Sequence, residues 1–277
     1  MNKRKSLKEL NLLDKFLFDE AMDDPENVKT MLDIILSQNT NLKQSPQTEK
    51  EQRTSTDNRQ IRLDVYAIDE DDVIYEVEAQ KENTHNLPKR SRLYQGIIDS
   101  KLLPPGVVDF NLLNEVLIVL IMPFDLFGYG LYRYTFQMKC QEIPELKLDD
   151  GATRIFLNTK GKHPESVSPE LIELLKYMEH STDEVSEACE SKRIQEMHRR
   201  VCQIRASEKT EVKYMQSWEE KILIKQEGIA EGRLEGKLEE KQELMRKLSN
   251  KFSIEQIAEM LEIDISEVEN IIKELAK

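Results

Sequence analysis

An unbroken apolar run at residues 116–122 restricts the folds open to this chain more than any other segment. Its length suits a β-strand, and it is far shorter than the roughly 20 residues that a membrane-spanning helix needs. A strand that is apolar at every position needs cover on both faces, as in a sheet packed between helices. The sequence therefore predicts an α/β fold with a buried central strand.

Two segments ahead of this run have the alternating pattern of a β-hairpin. Apolar and polar side chains alternate over residues 61–68 and 73–80, on either side of the acidic turn at 69–72. Helical periodicity precedes the hairpin over 9–37, as two helices, and follows it over 89–103. This order of elements predicts a mixed sheet flanked by helices.

Other parts of the chain have weaker patterns. Residues 38–58 are almost entirely polar, which predicts a long loop that holds at most a poor edge strand. Two further strands are expected at 131–138 and 153–157. After Ser168 the strand pattern ends, and the charged, proline-free segment 183–248 predicts one long helix or a helical hairpin.

The polar face of the hairpin carries more acidic residues than an ordinary sheet surface should. In an antiparallel pair, Asp64 can lie beside Glu76 and Glu78, while alternation places Leu63, Val65 and Ala67 together on the opposite face. Like charges side by side destabilise a sheet, whereas a divalent cation bound between them turns repulsion into coordination. Oxygen ligands suit Mg²⁺ or Mn²⁺. From spacing alone, a solvent-exposed acidic surface is the alternative.

The same residues carry a family resemblance. Asp64, followed by Glu78-Ala79-Gln80 on the next strand, resembles the signature of PD-(D/E)XK nucleases, with Gln80 where the family usually has lysine. Leu63 replaces the usual proline before the first acid. Further segments resemble the recombination-promoting nuclease and transposase branch of this superfamily, namely residues 14–18, 62–65, 75–80, 90–94, 103–106, 156–161 and the Glu-Gly repeats. The resemblance covers most of the chain and implies a restriction-endonuclease-like mixed sheet flanked by helices, followed by a long helical C-terminal region.

The activity implied by this resemblance is metal-dependent hydrolysis of phosphodiester bonds in DNA. By analogy, Asp64, Glu78 and the main-chain carbonyl of Ala79 would hold Mg²⁺, with Mn²⁺ as the other suitable ion. Gln80 would be the third catalytic residue, able to orient water by hydrogen bonding but without a lysine's charge. Two other interpretations are open: a nuclease-fold protein that acts as a binding or assembly module, and an RNA-acting hydrolase.

A basic segment follows the hairpin. Residues 86–105 contain four basic side chains and one acidic side chain, a local charge of +3 in a chain of net charge −13. The acidic total excludes a surface that binds polyanions everywhere, but a basic patch beside two carboxylates suits a phosphate backbone. The predicted substrate contacts are Arg90, Arg92, Tyr94 and Gln95. The alternative is a basic helix face that covers apolar surface with its side-chain stems.

The C-terminal third contains two features with open interpretations. Gly228, Gly232 and Gly236 recur every four residues, which describes either a groove for self-association or a solvated helix of marginal stability. Residues 253–277 have helix-turn-helix spacing, but seven acids against two lysines favour protein contact or a structural cap over DNA docking.

Together these patterns predict three regions. They are a nuclease-like domain at 1–162, a charged helical arm at 163–250 and a small helical terminus at 251–277. The predicted partners are DNA and a second copy of the chain, bound through the helical C-terminal region, for instance as a coiled coil, and no membrane. Three scattered cysteines suit neither a disulfide framework nor a thiolate metal site, so a cytoplasmic location is expected. The four histidines show no ligand spacing and are expected at the surface.

Overall fold

The computed structural model describes residues 4–52, 61–249 and 251–275. The strands are β1 (Gln47–Gln52), β2 (Ile61–Ile68), β3 (Ile74–Ala79), β4 (Val116–Met122), β5 (Arg133–Phe136) and β6 (Ala152–Asn158). The helices are α1 (Lys15–Met22), α2 (Pro25–Leu36), α3 (Leu87–Asp99), α4 (Pro169–Glu179), α5 (Asp183–Ala188), α6 (Lys192–Ala206), α7 (Glu208–Ser249), α8 (Ile254–Leu261) and α9 (Ile265–Leu275).

The described strands form one mixed sheet in the order β1-β2-β3-β4-β6-β5. Strands β1, β2 and β3 are antiparallel neighbours, β3, β4 and β6 are parallel, and β5 is antiparallel at the far edge. Helix α3 makes the crossover that the parallel pair β3 and β4 requires. The predicted α/β fold, a mixed sheet flanked by helices with a long C-terminal helix, is confirmed.

Both faces of the sheet are covered by apolar side chains. On one face, Val77 and Val119 pack with residues of α1, α2, α4 and α6. On the other face, Ile74 and Ile118 pack with α3 and with the segment 124–134. Neighbouring residues of β4 therefore belong to different clusters, which explains why the run at 116–122 is apolar at every position.

The polar segment at 38–58 contains an edge strand. Strand β1 pairs with β2 from Gln47 opposite Tyr66 to Gln52 opposite Ile61, although its own side chains are polar and half of them are exposed. An edge strand can have this composition because its neighbour supplies the hydrogen bonds and the register. The part of the loop prediction that concerns 53–58 lies outside the described residues.

The alternation of β2 changes at Asp64. Val65 and Ala67 pack in one cluster, but Leu63 packs in the opposite cluster. At the same level in β1, Glu49 has a left-handed φ of +48°, a conformation that departs from regular strand geometry. The prediction that Leu63 shares a face with Val65 and Ala67 is therefore wrong, because strict alternation requires an undistorted strand.

The segment 183–248, predicted as one long helix or a helical hairpin, is divided into α5, α6 and α7. Serines mark the breaks: the Ser191 hydroxyl accepts a hydrogen bond from the Ile194 N–H, and the Ser207 hydroxyl accepts one from the Thr210 N–H. Helix α6 packs on α1 and α2 through its apolar face. The helical character of the segment and the long helix α7 are as predicted. The expectation of one helix or a hairpin is wrong, because capping and packing, and not periodicity alone, set the helix ends.

The chain forms two compact units, Met1–Tyr214 and Met215–Lys277. The second unit has a small core of its own around Met245, Ile257 and Val268. The functional boundaries expected at residues 162 and 250 stay a prediction, because compactness does not show where a function begins or ends. Within the described ranges, no helix is both long enough and apolar enough to cross a bilayer.

Candidate active site

The turn between β2 and β3 fixes how the two strands align. The Asp69 carboxylate accepts hydrogen bonds from the Asp71 and Val73 N–H groups at 3.0 and 2.9 Å. It also accepts a hydrogen bond from the Tyr75 hydroxyl at 2.6 Å. Because a slip of one residue would turn every side chain to the other face, this turn decides where the acids of the hairpin lie.

Three acidic side chains meet where β2 and β3 pair. Tyr66 lies opposite Glu76, and Val65 lies opposite Val77. Asp64 and Glu78 are the next residues of the two strands, and the charge of Asp64 acts on the Glu78 carboxylate. Asp64, Glu76 and Glu78 are all buried, and Glu76 is fully buried. The structure thus brings together the three acids that the alternation predicts on one face.

The burial of the two glutamates disfavours their charged forms. Burial raises the pKa of Glu76 well above its ordinary value, and the charges of Glu78 and Asp64 raise it further. Burial also raises the pKa of Glu78 to about 7, although the Arg90 guanidinium opposes this effect. A cation placed among these carboxylates would relieve both the burial and the repulsion.

Lys15 of α1 reaches into this cluster. Its ammonium donates a hydrogen bond to Asp64 Oδ1 and lies 3.1 Å from Asp19 Oδ2. Burial lowers the pKa of Lys15, but the charges of Asp64 and Asp19 outweigh it, so the pKa is raised. Burial raises the pKa of Asp19 to about 7, although Lys15 opposes the shift. Glu49 of β1 lies 3.8 Å from the same ammonium, so Lys15 is a positive charge held by three acids from different elements.

Arg90 of α3 approaches the same cluster on the Glu78 side. Its Nη2 donates to Glu78 Oε1 and, at 2.5 Å, to Gln80 Oε1. The Gln80 amide nitrogen donates in turn to the Glu82 carbonyl at 2.5 Å. The oxygen and the nitrogen of the Gln80 amide are therefore both hydrogen-bonded to protein atoms. The positive charge that contacts Asp64 belongs to Lys15, in another part of the chain.

Within the described part of the chain, several carboxylate oxygens of the cluster lack a hydrogen bond of ordinary geometry, although the Asp64 backbone N–H lies close enough to Glu76 to oppose the rise in its pKa. Neither oxygen of Glu76 makes a hydrogen bond of ordinary geometry with a described residue, and the same is true of Glu78 Oε2. A buried acceptor without a partner is costly, and hard divalent cations bind such oxygens. Asp64 and the Ala79 carbonyl at the end of β3 add further oxygen atoms. Every atom proposed to bind a metal here is therefore an oxygen. The residues present fit Mg²⁺ or Mn²⁺.

A cavity of about 600 Å³ opens onto Asp64 and Glu78. These are the two acids among its described lining residues, whereas the lining cations are Lys15, Arg62, Lys89 and Arg90. The cavity is therefore bordered by positive charge in a chain whose net charge is −13. Such a border favours the approach of a phosphate group to the carboxylates.

The residues predicted to contact the substrate fall into two groups. Arg90 and Tyr94 line the cavity, and the Arg90 guanidinium lies 5.8 Å from the centre of the Tyr94 ring. Arg92 is exposed on α3 and does not line the cavity. Gln95 is buried, and its amide donates to Asp99 Oδ1 at 2.9 Å. Of the four predicted contacts, only Arg90 and Tyr94 therefore lie beside the carboxylates.

Lys15 and Asp19 were not predicted as site residues from the sequence. Lys15 lies in the segment 14–18, which carries part of the family resemblance, so a signal for this region is present in the sequence. Its contact with Asp64 joins residues that are 49 positions apart. Patterns within one element cannot predict a contact of that range.

Comparison with protein families identifies the class of the chain. The model of the PD-(D/E)XK nuclease family transposases matches residues 15–229, a range that includes the hairpin, the cavity and α3. This match covers most of the 277 residues, and the chain belongs to this family. Comparison with curated proteins and comparison with solved structures gave no match.

Proposed function

We propose that the protein is a Mg²⁺-dependent DNA endonuclease of the recombination-promoting type. In this proposal Asp64, Glu78 and the Ala79 carbonyl hold the ion, and Mn²⁺ can replace it. The observation that carries the proposal is the pair of buried acids Asp64 and Glu78, which line a cavity bordered by cations, with one carboxylate oxygen of Glu78 left without a hydrogen bond from any described residue. Membership of the family supports the nuclease class.

The cavity cations would position the phosphate backbone. Arg62 and Lys89 are exposed at the cavity, and Arg62 pairs with the exposed Glu49 at 3.4 Å, so both can approach phosphate oxygens without leaving a buried acid unpaired. Arg90 holds Glu78 and Gln80, so its first role is to orient the metal-binding carboxylate. Tyr94 offers an aromatic surface beside the same carboxylate. Phosphate contacts of this kind fix position without reading sequence.

The ion would polarise the phosphoryl oxygen and lower the pKa of an attacking water. A further positive charge, to stabilise the negative charge that develops in the transition state, must come from the chain itself. In this proposal Lys15 supplies it, because its ammonium already contacts Asp64, whereas Gln80 is neutral and its amide is engaged. Such preorganised charge is worth most in a partly buried site like this one.

The test is the nicking of supercoiled plasmid by the full chain. Asp64→Asn keeps the side-chain shape and removes the charge, so Mg²⁺-dependent nicking should fall by more than the roughly 10–100-fold loss typical of residues that only support a metal ligand. The matched control is Asp71→Asn, an exposed acid in the turn of the same hairpin. Equal nicking by wild type and Asp64→Asn would contradict the proposal.

A second candidate is a binding or assembly module that keeps the fold without catalysis. The engaged amide of Gln80, in place of a free ammonium, favours it. Under this alternative the wild type binds DNA and does not nick it with either metal. Parallel assays on RNA address the third candidate, an RNA-acting hydrolase, which would show faster cleavage of RNA than of DNA.

Self-association through the helical C-terminal region is part of the proposal. Two cuts made close together on a duplex need two active sites, which gives a second copy of the chain a physical purpose. A chain that ends at Tyr214, the last residue of the first compact unit, should contain fewer copies per particle than the full chain when both are measured by light scattering. An unchanged assembly state would exclude the C-terminal region as the contact.

A further inference from the structure

Three side chains with metal-binding atoms meet among α4, α5 and α6, outside the lining of the carboxylate cavity. His198 and Cys202 lie one turn apart on α6, and Asp183 is the first residue of α5. His198 Nε2 lies 2.8 Å from Asp183 Oδ1 and 3.4 Å from Cys202 Sγ. The sulfur lies 4.0 Å from the same Asp183 oxygen. His198, expected at the surface from the sequence, is buried, and that expectation is wrong.

The size of this triangle matches a tetrahedral metal site. Ligand bonds of about 2.0–2.3 Å at tetrahedral angles place neighbouring nitrogen, oxygen and sulfur donors about 3.4–3.6 Å apart. The three observed distances between these atoms are 2.8, 3.4 and 4.0 Å, which lie below, at the lower end of and above that range. Small side-chain rotations would therefore equalise the edges without movement of the backbone, since Asp183 is exposed and can adjust.

His198 is also oriented as a metal ligand should be. Its second ring nitrogen, Nδ1, lies 3.0 Å from the Tyr177 hydroxyl. The two rings pack edge to face with their centres 5.5 Å apart. Metal-binding histidines commonly use the other ring nitrogen for such a partner, which fixes the ring and leaves Nε2 for the metal. Tyr177 is fully buried, so the ring of His198 is held from behind.

We propose that Asp183, His198 and Cys202 bind Zn²⁺, with a fourth position open to water. A set of one nitrogen, one sulfur and one oxygen donor suits Zn²⁺, whereas Mg²⁺ prefers oxygen alone. The ion would connect the beginning of α5 to α6. Because α6 packs on α1, the helix that carries Lys15, the role assigned to this zinc is to stabilise the helical layer beneath the carboxylate cavity.

The test is a titration of the full chain with Co²⁺, which replaces Zn²⁺ and has visible absorption. A cobalt–thiolate charge-transfer band should grow to one Co²⁺ per chain, disappear on addition of Zn²⁺ and withstand excess Mg²⁺. Co²⁺ at the carboxylate cavity gives no such band, because no described residue that lines the cavity contains sulfur. Absence of the band in the folded protein would overturn the proposal.

Variants assign the band to the three residues. Cys202→Ser should abolish it, and Asp183→Asn should weaken Co²⁺ binding by at least about 10-fold. Tyr177→Phe keeps the ring and removes only the hydroxyl, with an expected loss of about 10–100-fold. Cys140→Ser and Cys189→Ser are matched controls that should keep the band. Circular dichroism without metal establishes that each variant folds, and a band that survives in folded Cys202→Ser would refute the assignment.

Discussion

The carboxylate cavity and the Glu-Gly segment of α7 (residues 227–238) use the same residue types under opposite conditions. In the cavity, Glu78 is buried and Lys15 is held between acids from three elements. In the Glu-Gly segment, Glu231 and Lys237 are exposed. Charges therefore interact strongly in the first region and are screened by solvent in the second.

Gly161 and the glycines of the Glu-Gly segment also differ in how closely other atoms surround them. A Cβ added to Gly161, which follows β6, would lie 2.5 Å from Cδ1 and Cδ2 of Tyr132. A Cβ added to Gly228, Gly232 or Gly236 would meet no atom within 4 Å. Residue type alone thus says little about the effect of a substitution, and the surroundings decide it.

The largest contrast should come from lysine. Lys15→Met is expected to lower the rate of DNA nicking by about 100–1,000-fold, the loss typical for removal of one group that stabilises transition-state charge. Lys237→Met removes the same charge from the Glu-Gly segment and should leave the rate unchanged. Plasmid nicking at saturating Mg²⁺ measures both variants.

Two further measurements separate this role of Lys15 from that of a simple counter-ion. Mg²⁺ affinity, measured by calorimetry, should not weaken in Lys15→Met, because the lost ammonium competes with the ion for Asp64. Adding Gln80→Lys to Lys15→Met returns a positive charge beside the cluster and should recover part of the rate. Wild-type nicking by Lys15→Met would show that the charge of Lys15 is dispensable.

The buried acids should make the stability of the metal-free protein depend on pH. Because the pKa of Glu78 is raised to about 7 from an ordinary value of 4.5, the folded state holds its proton more tightly than the unfolded state does. Stability should therefore be greatest below about pH 4.5 for this group and fall as the pH rises towards 7, by on the order of 3 kcal/mol.

Thermal unfolding in a chelator between pH 5 and pH 8 measures this slope. Glu78→Gln should make the slope shallower and leave the part that Glu76 and Asp19 contribute, whereas Glu231→Gln in the Glu-Gly segment should not change it. Mg²⁺ binds the ionised carboxylates, so it should raise the melting temperature more at pH 8 than at pH 5. An equal rise in melting temperature at pH 5 and at pH 8 would show that Mg²⁺ binds elsewhere.

A smaller effect is expected from Gly161→Ala. The new methyl group must displace the Tyr132 ring at its root, where rotation gives little relief, so the N-terminal unit should lose about 1–3 kcal/mol of unfolding free energy. Gly232→Ala is the matched change in open space and should cost nothing. Urea unfolding monitored by circular dichroism compares the two variants.

The smallest effect is the most informative about the C-terminal region. Changing Gly228, Gly232 and Gly236 together to alanine should stabilise α7 by up to about 1 kcal/mol per site if the segment is surrounded by solvent. If a second helix approaches these glycines closely, the added methyl groups should lower the mass measured by light scattering. An unchanged mass with increased helicity would favour the solvated helix over the groove.

The strands of the hairpin could be predicted almost to the residue, since their alternation is a local property. Strand β1 could be predicted only weakly, because its polar side chains reflect an edge position that its neighbour creates. The acids at 64, 76 and 78 were predictable as a group from the period of two. The contact between Lys15 and Asp64, the engaged amide of Gln80 and the burial of His198 depend on packing between distant segments, which no local pattern contains.

The hairpin and α3 supply both proposed metal-binding acids, the arginine that orients one of them and the residue at the position of the usual lysine. All of these lie in one continuous stretch, residues 64–90. Within that stretch, inserting or deleting a single residue in β2 or β3 would rotate one acid away from the other. Loops outside this stretch, such as the mostly exposed segment 137–151, can change length without altering the spacing of these side chains.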